Sequence, residues 1–155
     1  MTPEEQEDVM SLLAGRIDEN EFLRRFPVDP RTDTEFVRNV LEKSSNDDEI
    51  EVALLLGFQF GFSPSWAPAL RRLLTEPWHH SQEDIASALD ELRDPGAVDA
   101  LYQAALMESD DSAYALAVKC LYALFHIGTP AAKEKLQLLA QSENPIIRKN
   151  AREML

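Results

Sequence analysis

The chain has 155 residues, of which 45% are hydrophobic and 28% are charged, with a single cysteine and a formal net charge of −13 at pH 7. This length fits one domain, the lone cysteine excludes an internal disulfide, and no apolar run reaches the roughly 18 residues that a membrane span needs. The charge argues against nucleic-acid binding, which depends on Lys and Arg meeting phosphates, and favours a basic partner.

The first 44 residues predict three short helices without a repeated pattern. Thr2 and Glu5 form the outline of a capping box, Asp18 is placed to cap a second helix, and Pro27 ends it. The first ten residues are acidic and lack the basic and apolar regions of a signal peptide, so we expect a cytoplasmic protein.

A strongly apolar segment follows at Ile50–Phe62. It is compatible with a buried helix or a buried strand, but its length and its helical neighbours favour a helix packed between others. Gly57 and Gly61 would allow close approach of those neighbours. Ser63-Pro64-Ser65 interrupts the segment, and a return helix is expected over Trp66–Thr75.

Two clearer helix–turn–helix units occupy the rest of the chain. The first pairs Ser81–Arg93 with Ala97–Met107, and the second lies in Lys119–Gln141, KCLYALFHIGTPAAKEKLQLLAQ. Within the second unit, Gly128 is placed to end one helix and Thr129 to cap the next. The two units repeat with a period in the thirties, which is typical of an α-solenoid.

The sequences of these units resemble those of HEAT-like repeat proteins. The segment NPIIRKNAREML at 144–155 is similar to the first helix of such a repeat, and IGTPAAKEKLQLLAQ at 127–141 to the turn and second helix. The resemblance implies an all-α fold: a short right-handed α-solenoid of HEAT-like helical hairpins with an irregular N-terminal helical cap. We expect a single domain over residues 1–155, with the cap in 1–44 and the repeats in 45–155.

Carboxylates recur where the first helix of each unit is predicted to begin. One explanation is the helix dipole, which acidic residues in a first turn offset by about 0.3–1 kcal/mol each. The other is an acidic edge that docks a cationic protein. These candidate partner-binding residues are Asp47, Asp48, Glu83, Asp84, Asp110 and Asp111.

A second candidate is the loop cluster Trp78, His79 and His80. His79 and Glu83 would share a helix face if the helix started early, but the chain has only 3 His and neither an HExxH nor a CxxC motif, so no metal site is predicted. Tryptophan anchors many interfaces, which favours a partner contact; insertion of Trp78 between two repeats explains the residue equally well. Two further candidate anchors are Trp66 and Tyr122.

No catalytic grouping emerges from the remaining residues. Cys120 lies with Leu121, Leu124 and Phe125 on the apolar face of a predicted helix and is interpreted as a buried small hydrophobe. His126 falls in the last turn of that helix, where a cation is favourable, and is interpreted as structural. The chain also lacks a glycine-rich phosphate loop, so we predict a non-enzymatic protein with no catalytic residues and no cofactor.

A finer resemblance suggests a function. The segments LLAGRIDENEFLRRFP at 12–27, WHHSQEDIASALDELRDPGAVDALYQAAL at 78–106 and KCLYALFHIGTPAAKEKL at 119–136 resemble small bacterial HEAT-like proteins encoded beside polymorphic toxins. Those proteins serve as immunity proteins. The resemblance implies a cytoplasmic protein that binds and neutralises a cognate toxin domain, and the acidic charge suggests that this domain is basic. Neither a nucleic acid nor a membrane is expected as a partner.

Three alternatives share the same repeat pattern. One is a HEAT-like scaffold in a larger assembly, and another is a lyase-type protein resembling the phycobilin lyases, which would bind a bilin. The third, a HEAT-like DNA glycosylase, would need a basic groove that this composition does not favour.

Overall fold

The computed structural model describes all 155 residues, and every regular element in it is a helix. The predicted all-α class is therefore confirmed. No helix combines the length and the apolar character required to cross a membrane. The α-helices are α1 (Pro3–Leu13), α2 (Glu19–Arg25), α3 (Glu35–Lys43), α4 (Asp47–Phe60), α5 (Ala67–Leu74), α6 (Gln82–Leu92), α7 (Val98–Ala105), α8 (Ala115–Ile127), α9 (Pro130–Leu139) and α10 (Pro145–Glu153), and short 3-10 turns at Pro64–Trp66 and Pro95–Ala97 precede α5 and α7.

Local sequence signals set several of the helix ends. The predicted capping box is present. The Thr2 hydroxyl accepts a hydrogen bond from the Glu5 backbone N–H, and the Glu5 carboxylate accepts one from the Thr2 backbone N–H. Thr129 caps α9 through the backbone N–H of Ala132. Gly128 ends α8 with φ +65°, a left-handed conformation that glycine adopts without steric penalty.

The ambiguous apolar segment is helical, because it forms α4. Gly57 is buried on this helix, and the ring of Phe62 occupies the space that a Cβ at Gly57 would need. The chain can therefore fold back directly after α4, with Phe62 packed against the helix it follows.

The helices beyond residue 45 contact their second neighbours along the chain. In what we call the first row (α4, α6 and α8), α6 lies between α4 and α8; in the second row (α5, α7 and α9), α7 lies between α5 and α9. The last helix, α10, contacts α8 and α9, while α1 packs on α4 and α3 contacts α4 and α5. One cluster of 36 buried residues runs from α1 to α10 through these contacts.

Candidate interaction surface

The three aromatic side chains of the loop between α5 and α6 differ in their exposure to solvent. Trp78 is 38% exposed, and its indole N–H donates to a Glu76 carboxylate oxygen over 2.6 Å. His79 is only 1% exposed: its Nε2 lies 2.7 Å from the Leu73 carbonyl oxygen, and its Nδ1 accepts from the Ser81 backbone N–H over 3.1 Å. The prediction that His79 contacts a partner is therefore wrong, because its ring satisfies backbone groups inside the loop.

His79 also cannot share a helix face with Glu83. The helix α6 begins at Gln82, after the histidine, so the two residues are not one turn apart on the same helix. Nowhere in the chain do three or more His, Cys, Asp or Glu side chains form a group that could hold a metal ion.

His80 instead reaches a carboxylate on a neighbouring helix. Asp47, the first residue of α4, accepts from the His80 backbone N–H over 2.9 Å, and its other carboxylate oxygen lies 2.6 Å from the His80 ring Nδ1. The hydrogen bond from His80 lowers the pKa of Asp47, and the same bond raises the pKa of His80. Two residues that the sequence placed in different units thus form one exposed pair.

The other predicted carboxylates divide into two groups. Asp48 and Glu83 lie in the first turns of α4 and α6, as predicted, and Glu83 is 3.4 Å from the Lys119 ammonium on α8. Asp84 also lies in the first turn of α6.

Asp110 and Asp111 do not begin a helix, which corrects the prediction. They lie in the loop before α8, whose first residue is Ala115. The Asp111 carboxylate accepts from the backbone N–H groups of Ala113 and Ala115, and these bonds lower its pKa. Asp111 therefore satisfies donors at the entrance to α8 from the loop, outside the first turn.

Of the two further anchor candidates, only one is accessible. Trp66 is 4% exposed and donates its indole N–H to the Thr34 carbonyl oxygen over 2.8 Å, so it joins α3 to the start of α5 and cannot meet a partner as predicted. Tyr122 on α8 is 48% exposed.

Sequence reasoning missed two exposed aromatic residues. Phe125 was assigned to the buried face of α8 with Cys120, but it is 47% exposed one turn from Tyr122, and Phe58 on α4 is 43% exposed. The three-residue spacing of Tyr122 and Phe125 is a signal for a shared face. It did not decide which face, because α8 is apolar on most sides and its neighbours determine what is covered.

The single cysteine of the chain, Cys120, is shielded from solvent. Cys120 is buried as predicted, and burial raises the pKa of its thiol to about 12. A cavity of about 620 Å³ lies between the loop after α7 and the start of α10, and neither a histidine nor a cysteine lines it.

Comparisons with protein-family models, with curated proteins and with solved structures find no match for this chain. A functional assignment therefore depends on the surface itself: exposed carboxylates, exposed aromatic rings and the pairs that join neighbouring helices.

Proposed function

We propose that this protein is a non-enzymatic binding module, a cytoplasmic immunity protein that binds and neutralises a cognate, basic bacterial toxin domain. The observation that carries the proposal is the net charge of −13. The charge is also unevenly distributed. Residues 1–118 contain 25 acidic and 9 basic side chains, whereas residues 119–155 contain 3 acidic and 6 basic ones.

The proposal includes a short right-handed α-solenoid of HEAT-like hairpins. Its support is the pattern of contacts in which each helix of a row packs against the next helix of that row. Stacked helix pairs offer an extended surface on which another macromolecule can lie. A protein that neutralises an enzyme by covering it needs such a surface and no chemistry of its own.

Electrostatics would act mainly on the rate of association. Opposite charges steer two proteins together and raise the association rate constant well above that of an uncharged pair. At physiological ionic strength the screening length is about 8 Å, so added salt should weaken this steering.

The test mixes the purified protein with any toxin domain that an adjacent gene encodes. We expect a stoichiometric complex in size-exclusion chromatography, loss of toxin activity in proportion to the protein added, and an association rate constant that falls several-fold between about 50 mM and about 300 mM NaCl. A toxin domain of similar basic charge from an unrelated system is the control. Absence of a complex at micromolar concentrations would contradict the proposal.

A further inference from the structure

We infer that the toxin domain contacts the outer face of the first row, formed by α4, α6 and α8. This inference rests on the proposed function and adds to it the side of the molecule that is used. The two rows of helices differ in charge. The first-row helices carry eight Asp and Glu residues and one Lys, whereas the second-row helices carry two acidic and four basic residues.

Neighbouring parts of the chain are less suited to a cationic partner. All eight first-row carboxylates lie on α4 and α6, and beyond α8 the helix α10 contains Arg148, Lys149 and Arg152 against Glu153. Residues 1–44 contain 11 acidic and 6 basic side chains. Several of these cap residues already pair with each other, as Arg25 does with Glu21 over 2.8 Å and Arg31 with Asp29 over 2.8 Å.

Half of the first-row carboxylates have no ion-pair partner in the structure. The four paired ones bond to the N-terminal ammonium, His80, Lys119 or His126. Three of the four unpaired ones are exposed, which leaves them available to Lys or Arg of another protein. The unpaired carboxylates are Asp48, Glu51, Asp84 and Glu91.

Side-chain pairs join the three helices of the row: Asp47 at the start of α4 bonds to His80 just before α6, and two further pairs join α6 to α8. Glu83 lies 3.4 Å from Lys119, and Asp90 lies 2.7 Å from the His126 ring, so two side-chain pairs about two helical turns apart connect α6 to α8. On α4, Glu51 is two turns from Phe58 and therefore lies on the same side of that helix.

Exposed aromatic side chains lie on both helices that contact α6 within the row. Phe58 lies on α4, and Tyr122 and Phe125 lie on α8, each more than 40% exposed. Protein–protein interfaces commonly have a core that contains aromatic residues and a rim of polar residues, and this surface has the same composition. The second row offers only an aliphatic side chain of comparable exposure, Leu138 on α9.

The charge also distinguishes between possible occupants. A second copy of this chain would bring another −13 to the same acidic face, and like charges across an interface oppose association. A basic domain would instead place Lys or Arg beside the exposed Glu91 and cover the rings of Tyr122 and Phe125.

The test compares first-row variants with matched second-row variants in binding to a toxin domain that an adjacent gene encodes and that the wild-type protein binds. We expect Tyr122→Ala and Phe125→Ala each to raise the dissociation constant roughly tenfold or more, and Glu91→Lys to slow association several-fold. Leu138→Ala, at the same 47% exposure as Phe125, and Glu134→Lys on α9 are the controls and should change the dissociation constant less than about twofold. Weakening by the controls and not by the first-row variants would overturn the inference while leaving the proposed function intact.

A second measurement keeps the two proposals separable. If the wild-type protein does not bind the toxin domain, the proposed function fails, and the face is tested with a nona-arginine peptide by amide chemical shifts. Shifts concentrated in α4, α6 and α8 are expected. Shifts confined to the second row or to residues 1–44, or spread evenly over the chain, would overturn the inferred face.

Discussion

His79 and His80 are adjacent in sequence and have opposite environments. The His79 ring is enclosed and bonded to backbone groups of its own loop, whereas the His80 ring is exposed and bonded to Asp47 on α4. Trp66 and Trp78 differ in the same way, with the first buried and the second partly exposed. For these four residues the side-chain type suggested a contact with a partner, and burial by the surrounding chain decided whether that contact is possible.

Cys120 gives a prediction at the scale of a single residue. Because the thiolate is the reactive form and burial raises the pKa of this thiol to about 12, we expect negligible reaction with a disulfide reagent such as DTNB at pH 8 while the protein is folded. Complete labelling should follow unfolding in guanidinium. Free cysteine under the same conditions is the control, and labelling of the folded protein at the rate of free cysteine would contradict the assignment.

At the scale of one element, the C-terminal end of α4 packs closely because Gly57 has no side chain and leaves room for the ring of Phe62. Phe62 fills the space next to Gly57 and is held by edge-on packing against Phe58, at 4.9 Å between ring centroids, and Trp66, at 6.0 Å. A methyl group at position 57 would have to displace this ring.

We therefore expect Gly57→Ala to destabilise the protein. Overpacking typically costs about 1–3 kcal/mol, which outweighs the gain of about 1 kcal/mol from replacing a helical glycine by alanine. In a Phe62→Ala background the ring is gone, so the same substitution should stabilise by about 1 kcal/mol. A double-mutant cycle measured by urea unfolding tests this, and equal effects of Gly57→Ala in both backgrounds would contradict the described packing.

The pair Asp47–His80 links α4 to the segment before α6 and predicts a pH dependence. The raised pKa of His80 means that its contribution to stability is complete below its ordinary value of 6.5 and is lost as pH rises through the raised value. The lowered pKa of Asp47 means that its contribution is present above 3.8 and is lost as pH falls through the lowered value. The pair should therefore contribute most between these two ordinary values.

Proton NMR of the His80 ring measures this directly. We expect the ring to titrate above its ordinary range in the wild-type protein and to return toward that range in Asp47→Asn. An unchanged His80 titration in Asp47→Asn would show that the pair does not form in solution.

For the molecule as a whole, the balance of charges decides how salt acts. Salt screens both the attractive ion pairs and the repulsion among carboxylates, but exposed ion pairs contribute little, and acidic residues exceed basic ones by 13. Repulsion is therefore the larger effect, and screening it should stabilise the folded state.

We expect the free energy of unfolding, measured in urea, to rise between about 20 mM and about 200 mM NaCl. A variant with Asp48→Asn, Glu51→Gln and Glu91→Gln removes three of the unpaired carboxylates and should show a smaller increase. A fall in stability with salt would mean that the ion pairs outweigh the repulsion.

Much of the fold was predictable because its signals are local. Capping residues such as Thr2 and Thr129 satisfy backbone donors one turn away, and Gly128 ends its helix through its own backbone freedom, so neither depends on distant residues. The helical state of the apolar segment at α4 was also inferred correctly from its length and its neighbours.

The interaction surface was predictable only in part. Asp47, Glu83 and Tyr122 lie where a partner can reach them, but His79 and Trp66 are buried, Asp110 and Asp111 lie outside any helix, and Phe125 was assigned to the wrong side of α8. Periodicity identifies which residues share a helix face, but it does not state which of two apolar faces a neighbour will cover.

The sequence alone determined the helical class, most helix ends and the acidic charge, because these depend on residue type and on spacing within a few positions. Only the tertiary structure decided that His80 meets Asp47, that α6 joins α8 through two charged pairs, and that carboxylates and exposed rings gather on one row of helices. These features join residues more than thirty positions apart, and their distances are fixed by how the helices pack.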